Sequence, residues 1–209
     1  MNKTSAICGA MICLFMGSAV ASPTPGQDRG QARMSEFAAS RPPIGYVQFC
    51  RRQPADCRVA AIGSQRETLT PERWRELVAI NNHVNAAIEP VTDMELYGVA
   101  EHWTYPVDKG DCEDYVLLKR KLLIERGWSA ASLLITVVRD ERGDGHAVLT
   151  AVTSEGDLVL DNQHAEIRAW SDTPYQYLKR QSKTDPSRWV SLMDDAPQGQ
   201  VPVAGMPAR

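Results

Sequence analysis

The sequence predicts an α+β fold, because two helical patterns come first along the chain and three strand patterns follow. Apolar residues at three- and four-residue spacing predict a helix over 70–88, with Thr70 as its N-cap. A second helix is predicted over 110–126. Its apolar residues lie on most of its sides, which is typical of a central, buried helix. The strand patterns, at 132–138, 146–152 and 157–161, predict an antiparallel meander.

The composition is that of one globular domain. The chain has 209 residues, of which 43% are hydrophobic and 23% are charged, and this apolar share is enough to form a core. The formal net charge is −3, and no run of basic residues is present. The composition therefore argues against nucleic acid as a partner.

The first 21 residues have the pattern of a signal peptide. Lys3 provides a positive charge, the stretch that follows it to Ala21 is uncharged, and Ala19-Val20-Ala21 offers a cleavage site. An uncleaved anchor is the alternative, although this stretch is short for a membrane span. No later segment is apolar enough to cross a bilayer. We therefore predict a periplasmic protein that is not membrane-embedded once processed.

The remaining composition divides the chain into three parts. Proline and glycine are frequent over 22–43, which predicts a flexible lead-in. The helical and strand patterns predict a folded domain over 44–193. Proline, glycine and glutamine dominate 194–209, which predicts a disordered tail.

Three cysteines follow the predicted signal peptide. Cys50 and Cys57 flank a turn-forming segment, and export would carry them to an oxidising compartment in which disulfides form. Two separate thiols fit the same spacing, but we favour the disulfide. Cys112 is then left over, and a leftover cysteine in an exported protein is a candidate reactive thiol.

Cys112 lies in the first turn of the second predicted helix, directly after Gly110-Asp111. Backbone N–H groups and the helix dipole favour negative charge at a helix start. This position therefore lowers the pKa of a thiol and supplies donors for an oxyanion. A small buried core cysteine is the alternative.

His146 and Asp161 are candidate partners for this thiol. His146 begins the second predicted strand, where we expect its side chain to be exposed, and Asp161 ends the third. With residues 153–156 as the turn, Val148 lies opposite Asp161 and His146 is its diagonal neighbour on the same face. A two-residue turn would keep the two side chains on the same face but would place them further apart. The pair would then act as a base and its orienting acceptor. Solvated or turn-forming roles remain open for both, and His164 is a second candidate base.

Three acidic residues, Asp111, Glu113 and Asp114, surround the candidate nucleophile. Their charges oppose a thiolate and should raise its pKa. Helix capping is one explanation, because Asp is a favoured N-cap and acids suit a first turn. A bound Ca²⁺ is the other, because this cation prefers oxygen ligands and would neutralise the cluster.

Several motifs together resemble a known family. The most specific is the block Gly110-Asp111-Cys112-Glu113-Asp114-Tyr115. The others are Asn82, Val84-Asn85, His102-Trp103 and Pro106 before it, and Gly145-His146-Ala147-Val148-Leu149 and Leu158-Val159-Leu160-Asp161-Asn162 after it. In this order, over 44–189, they resemble the bacterial transglutaminase-like cysteine proteinases, of the kind that release large surface adhesins in the periplasm.

The resemblance implies a papain-like, transglutaminase-like core in which the nucleophile helix packs against the antiparallel sheet. It implies a catalytic triad of Cys112, His146 and Asp161, and a calcium site that includes Asp111 and Glu113. It also implies a protein substrate such as a large adhesin, and regulation by an inner-membrane receptor.

Two departures from the family pattern bear on the substrate groove and the receptor-binding surface. The spacer before Gly110 is only the segment 107–109, and Gln163 stands where a hydrophobic residue is common. Neither departure changes the triad. We predict an exported cysteine endopeptidase. The alternatives are acyl transfer to an amine, as in a transglutaminase, and a binding module without activity.

Overall fold

The computed structural model of the protein describes residues 33–58 and 66–194. The predicted signal peptide and all but the first residue of the predicted tail lie outside these ranges. Of the helices within them, none is long and apolar enough to cross a membrane.

In the described ranges the helices lie in the first part of the chain, with three short strands among them, and six strands follow the last helix. The helices are α1 (Ile44–Arg52), α2 (Pro54–Cys57), α3 (Pro71–Ala87), α4 (Asp93–Tyr97) and α5 (Cys112–Glu125). The strands are β1 (Ala39–Ser40), β2 (Glu89–Pro90), β3 (Lys109–Gly110), β4 (Leu133–Arg139), β5 (Gly145–Thr153), β6 (Gly156–Leu160), β7 (Arg168–Ala169), β8 (Gln176–Gln181) and β9 (Trp189–Ser191).

Seven of these strands form one sheet in the order β1-β9-β8-β4-β5-β6-β7, in which every neighbouring pair is antiparallel. The short strands β2 and β3 form a separate parallel pair. Helix α5 packs against β4 and β5, and α3 packs on α5. The predicted α+β class, with the nucleophile helix on an antiparallel sheet, is confirmed. The predicted meander of β4, β5 and β6 lies within a wider sheet whose other strands lack a clear sequence pattern.

Both predicted helices form, with ends that the sequence indicates. The Thr70 hydroxyl accepts a hydrogen bond from the Arg73 backbone N–H at 3.2 Å and so caps α3. Gly127 follows α5 with a φ of 82°, a left-handed conformation that favours glycine. Even charged side chains of α5 are buried, as expected for a helix with neighbours on most sides.

The register between β5 and β6 positions two candidate site residues. Val152 lies opposite Asp157, which is the register predicted from a turn at 153–156. Because side chains alternate along each strand, this register puts His146 and Asp161 on the same face of the sheet.

The sheet has an apolar core on each face. The larger core lies between the sheet and helices α1, α3 and α5, and it contains Leu77 and Leu149. A smaller core on the opposite face contains Met34, Val148 and Tyr175. Consecutive residues of β5 therefore contribute to different cores, as the alternation of a strand requires.

Part of the predicted lead-in belongs to the folded domain. Met34 is 3% exposed and packs in the smaller core, and Ala39–Ser40 pairs with β9 at the edge of the sheet. Of the segment 22–43 that we assigned to a flexible lead-in, residues 33–43 therefore contribute to the fold. The local composition is rich in proline and glycine, and it does not reveal these long-range contacts.

Cys50 and Cys57 form a disulfide bond, with Cα atoms 5.6 Å apart. The favoured of the two alternatives is thus confirmed. The bond connects α1 to α2, so the segment between the cysteines is mostly helical rather than the turn that its residues indicate.

Lys119 is a charged residue in the interior of α5. Its side chain is completely buried, and its Nζ has no hydrogen-bond partner among the described residues. The ring of Tyr115 lies 5.9 Å from Nζ. Burial lowers the pKa of Lys119 to about 7, although the charge of Asp161 opposes this shift. An amine in this position destabilises the fold, because it loses its hydration without a compensating hydrogen bond.

We predict that Lys119→Met stabilises the fold at pH 7 by about 1–3 kcal/mol, because it removes an unsatisfied buried donor at similar volume. Between about pH 7 and 10 the unfolded chain keeps a proton on this amine that the folded chain has released. The wild-type free energy of unfolding should therefore gain a contribution that rises with pH in this window. Urea denaturation from pH 7 to 10 should show this contribution in the wild type and not in Lys119→Met.

Lys121→Met is the matched control on the same helix. Lys121 is 45% exposed and forms an ion pair with Glu125 at 2.7 Å, so its loss should change stability by less than about 1 kcal/mol. A Lys119→Met protein that is less stable than Lys121→Met would contradict the prediction.

Candidate active site

Cys112 is the first residue of α5 and is 7% exposed. It retains its thiol, which donates to Glu113 Oε2 at 3.1 Å. Its sulfur accepts a hydrogen bond from the backbone N–H of Ala147. Because Ala147 directly follows His146, the start of α5 meets the start of β5 at the thiol.

His146 and Asp161 contact each other in the interior. His146 Nε2 lies 2.9 Å from Asp161 Oδ1, and the two residues are 1% and 2% exposed. Our expectation that His146 exposes its side chain is wrong. The ring of Tyr175 packs edge-on against the imidazole, with centroids 5.6 Å apart, and helps to bury it.

The Asp161 carboxylate is stabilised by several donors. Burial acts to raise the pKa of Asp161. The hydrogen bond from His146 and the charge of the imidazole lower this pKa, and so do the hydrogen bonds from the Tyr175 hydroxyl and the Gln163 backbone N–H. Together these interactions outweigh burial. The pKa of Asp161 therefore lies below its usual value, and the carboxylate is ionised in a site almost closed to water. It can hold His146 in the tautomer that carries the proton on Nε2.

In that tautomer, Nδ1 of His146 carries the lone pair. Gln163 Nε2 lies 3.4 Å from this nitrogen. Nδ1 is therefore the ring atom that is able to accept a proton, since Nε2 is occupied by Asp161.

Cys112 and His146 line one cleft of about 770 Å³. The remaining lining comes from Asp111, the segment 90–95, the turn 140–145 and the loop 162–164 after β6. His164, the second candidate base, lies in that loop and has its ring centroid 6.0 Å from that of Tyr175.

The acidic residues beside the thiol form a buried cluster with Asp93, which the sequence analysis did not identify. One carboxylate oxygen from each of Asp93, Asp111 and Glu113 lies within 4.8 Å of the others. Asp111 precedes α5, but its side chain makes no capping hydrogen bond. Its Oδ2 instead accepts from the backbone N–H of Asp93 at 3.2 Å. Helix capping therefore does not account for Asp111.

Four oxygens of this region are buried without a hydrogen-bond partner in the described residues: Asp93 Oδ1, Asp111 Oδ1, Glu113 Oε1 and Asp114 Oδ2. Burial, followed by the charge of Asp93, raises the pKa of Asp111 to about 6, and burial raises the pKa of Asp114 to about 8. Burial, followed by the charge of Asp111, raises the pKa of Glu113 as well. Buried carboxylate oxygens without donors are costly, and a cation would satisfy them.

The same acids oppose ionisation of the thiol. Burial raises the pKa of Cys112 most, and the charges of Glu113 and Asp111 raise it further, whereas the Ala147 N–H lowers it. The helix start that favours a thiolate is therefore outweighed by burial and by these two charges. Neutralising Glu113 and Asp111 would remove the effect of their charges on the pKa of Cys112.

Comparison with known proteins identifies the family of this site. The family model of the bacterial transglutaminase-like cysteine proteinases (BTLCP) matches residues 36–197, which is most of the chain. The protein belongs to this family. The membership confirms the resemblance inferred from the motifs, and the transglutaminase-like core with it. No curated protein matches the chain.

Solved structures similar to this member of the family include LapG of Legionella pneumophila. Calcium-bound LapG is 24% identical, with 54% of this chain and 66% of that chain covered and a TM-score of 0.47. Two further LapG structures, one of them EGTA-treated, are each 26% identical with a TM-score of 0.45. They cover 51% of this chain, and 64% and 62% of their own. The matched part is less than two thirds of each LapG chain.

Other residues of the family motifs contact the site from outside it. The Asn85 side chain donates to the Asp161 carbonyl at 2.8 Å, and the His102 backbone N–H donates to Asp93 Oδ2. Sequence reasoning missed Asp93 and Tyr175. Asp93 follows Thr92 at the start of a capped helix, where an acid is ordinary, and no pattern around Tyr175 indicates a functional role.

Proposed function

We propose that this protein is an exported cysteine endopeptidase in which Cys112, His146 and Asp161 form the catalytic triad. One observation carries the proposal. The Cys112 sulfur is bonded to the N–H that follows His146, while the same imidazole is held by Asp161 at 2.9 Å. Cys112 and His146 also line the same cleft, which supports a thiol, an imidazole and a carboxylate that act together in nucleophilic catalysis.

In the proposed reaction, the Cys112 thiol transfers its proton to His146 Nδ1 as the sulfur attacks a peptide carbonyl carbon. Asp161 keeps the Nε2 proton in place and stabilises the charged imidazole. The imidazolium then returns the Nδ1 proton to the departing amine, which leaves a thioester on Cys112. Water, deprotonated by His146, hydrolyses the thioester and regenerates the thiol.

The tetrahedral oxyanion needs hydrogen-bond donors. We assign the Cys112 backbone N–H as one of them, because the first N–H groups of a helix have no partner within the helix. The positive end of the α5 dipole stabilises the same charge.

The donor set of the acidic cluster fits calcium, and we propose that Asp93, Asp111 and Glu113 hold this ion. Calcium binds six to eight oxygen ligands, and each of these residues has one buried carboxylate oxygen that no donor of the described residues reaches. When bound, the ion would neutralise the charges that oppose the thiolate. Glu113 Oε2 accepts a hydrogen bond from the Cys112 thiol, so this residue connects the cluster to the proposed nucleophile.

The proposal extends to the place of action and to the partners. The Cys50–Cys57 disulfide supports an oxidising compartment, in agreement with the predicted signal peptide and a periplasmic location. We propose a large surface adhesin as the protein substrate and an inner-membrane receptor as the regulator, because the motifs resemble adhesin-releasing members of the family.

We predict that the purified protein hydrolyses a polypeptide and reacts with a thiol-directed electrophile at Cys112, and that Cys112→Ala abolishes both. His146→Ala should lower hydrolysis by at least about 1,000-fold, the order of loss for a triad base. Single-turnover cleavage assays and mass spectrometry of the labelled protein measure these effects.

His164→Ala is the matched control, because His164 lines the same cleft, whereas the histidine that is hydrogen-bonded to Asp161 is His146. It should retain activity within a few-fold. Equal losses in the two histidine variants would reject His146 as the base. Incorporation of an added amine in preference to hydrolysis would instead identify a transglutaminase, and labelling without turnover would favour a binding module.

We also predict that Asp93→Asn lowers calcium affinity by about tenfold or more, because it removes one charged ligand from the cluster. Calorimetric titration with CaCl₂ measures the affinity, and calcium should raise the melting temperature of the wild type by mass action. A chelator should abolish hydrolysis, and added calcium should restore it.

Glu141→Gln is the control for Asp93→Asn. Glu141 is an exposed acid of the same cleft that does not belong to the buried cluster. It should leave the affinity unchanged. Indifference of the wild type to both chelator and calcium would remove the metal from the proposal while leaving the triad intact.

A further inference from the structure

Both oxygens of the Asp161 carboxylate are bound by protein donors. Oδ1 faces His146 Nε2 at 2.9 Å and accepts the Gln163 backbone N–H at 3.0 Å. Oδ2 accepts the hydroxyl of Tyr175. The triad as proposed above has no role for this tyrosine, although it contacts the acid directly.

Tyr175 also contacts the base. Its ring meets the His146 imidazole edge-on, with an interplanar angle of 68° and centroids 5.6 Å apart. Tyr175 thus contacts two members of the proposed triad: its hydroxyl is hydrogen-bonded to Asp161, and its ring packs against the imidazole of His146. Tyr175 itself is 8% exposed, so this contact lies inside the protein rather than in the open cleft.

The position of Tyr175 comes from a different part of the fold. It stands immediately before β8, which pairs with β4 in the sheet, and its ring packs in the smaller core with Val138 and Val148. His146 lies on β5, and Asp161 directly follows β6. Tyr175 therefore connects the contact between His146 and Asp161 to the strands on the other side of β4.

The hydrogen bond from Tyr175 to Asp161 Oδ2 affects how the carboxylate is oriented toward His146. Asp161 must present one oxygen to Nε2–H, because only that tautomer leaves the Nδ1 lone pair for the thiol. A carboxylate held at one oxygen can still rotate about its bond to Cβ, whose torsional minimum is broad. A phenol hydroxyl on Oδ2 stops that rotation, and such charge-assisted hydrogen bonds are stronger than neutral ones.

We propose that Tyr175 is a positioning residue of this active site, which fixes the Asp161 carboxylate through its hydroxyl and the His146 ring through its edge. The inference rests on the proposed function, because it assigns Tyr175 a task in the same reaction. Tyr175 is not among the residues that line the cleft, so its effect acts through the carboxylate and the imidazole.

The experiment compares Tyr175→Phe with Tyr177→Phe in the full chain. Tyr177 is the matched control, because it is also 8% exposed and lies in the same smaller core. Its hydroxyl is bonded to Thr173 Oγ1 at 2.8 Å rather than to Asp161. Each variant removes one buried hydroxyl and retains the ring.

Tyr175→Phe should lower kcat by roughly 10- to 100-fold, the range for loss of a hydrogen bond to a charged group, with KM unchanged. Tyr177→Phe should change kcat by less than about threefold. A purely structural role for Tyr175 would instead make the two variants alike, and that result would overturn the proposal.

A second readout requires no substrate. The His146 Nε2–H proton gives a downfield NMR resonance when it is bonded to a carboxylate, and His146→Ala assigns it by its loss. Tyr175→Phe should shift or broaden this resonance and speed its exchange with water, whereas Tyr177→Phe should leave it unchanged. An unchanged resonance in Tyr175→Phe would overturn the proposal even if kcat falls.

The two readouts separate this inference from the proposed function. A wild type without hydrolytic activity would defeat the proposed function, and the resonance would still decide whether Tyr175 orients His146. If Tyr175→Phe does not fold, 3-fluorotyrosine at position 175 keeps the size of the ring and alters the strength of its hydroxyl as a donor. A shift of the His146 resonance in that protein would support the inference, and its absence would reject it.

Discussion

The hydrogen bond between His146 and Asp161 depends on the register of β5 on β6. A slip of one residue between these strands would turn one of the two side chains to the opposite face. The register is stable because each face of the sheet has its own apolar core, so a slip would move apolar residues of β5 out of both. The pairing of His146 with Asp161 is therefore a consequence of how the sheet packs, and burial of both residues, at 1% and 2% exposure, strengthens the contact.

A second constraint acts at the start of α5, where two electrostatic effects compete for the same thiol. The helix dipole favours a thiolate at Cys112, but burial and the charges of Glu113 and Asp111 raise its pKa. Helix capping cannot explain the presence of Asp111, because its side chain does not cap the helix. The cation that we propose would reconcile the two effects, since it would bind the carboxylate oxygens that have no donor among the described residues and would neutralise the charges that raise the pKa of Cys112.

Contacts from distant segments complete the site. Asn85 of α3 holds the backbone of Asp161, Tyr175 before β8 holds its carboxylate, and Asp93 of α4 joins the acids beside the thiol. None of these three residues lies on the strands or the helix that carry Cys112, His146 and Asp161. Several elements therefore hold the site together, and a change in any of them should alter the position of the imidazole.

The sequence by itself determined the two long helices, the strand meander, the common face of His146 and Asp161 and the order of the motif blocks. These features depend on local periodicity, capping and turn length, which neighbouring residues specify. Only the tertiary structure decided that Asp93 joins Asp111 and Glu113, that Tyr175 bonds Asp161, and that residues 33–43 pack on the sheet. Each of these contacts links residues that are separated along the chain by other elements. Their energy comes from burial and complementary geometry after folding, so no local pattern marks them beforehand.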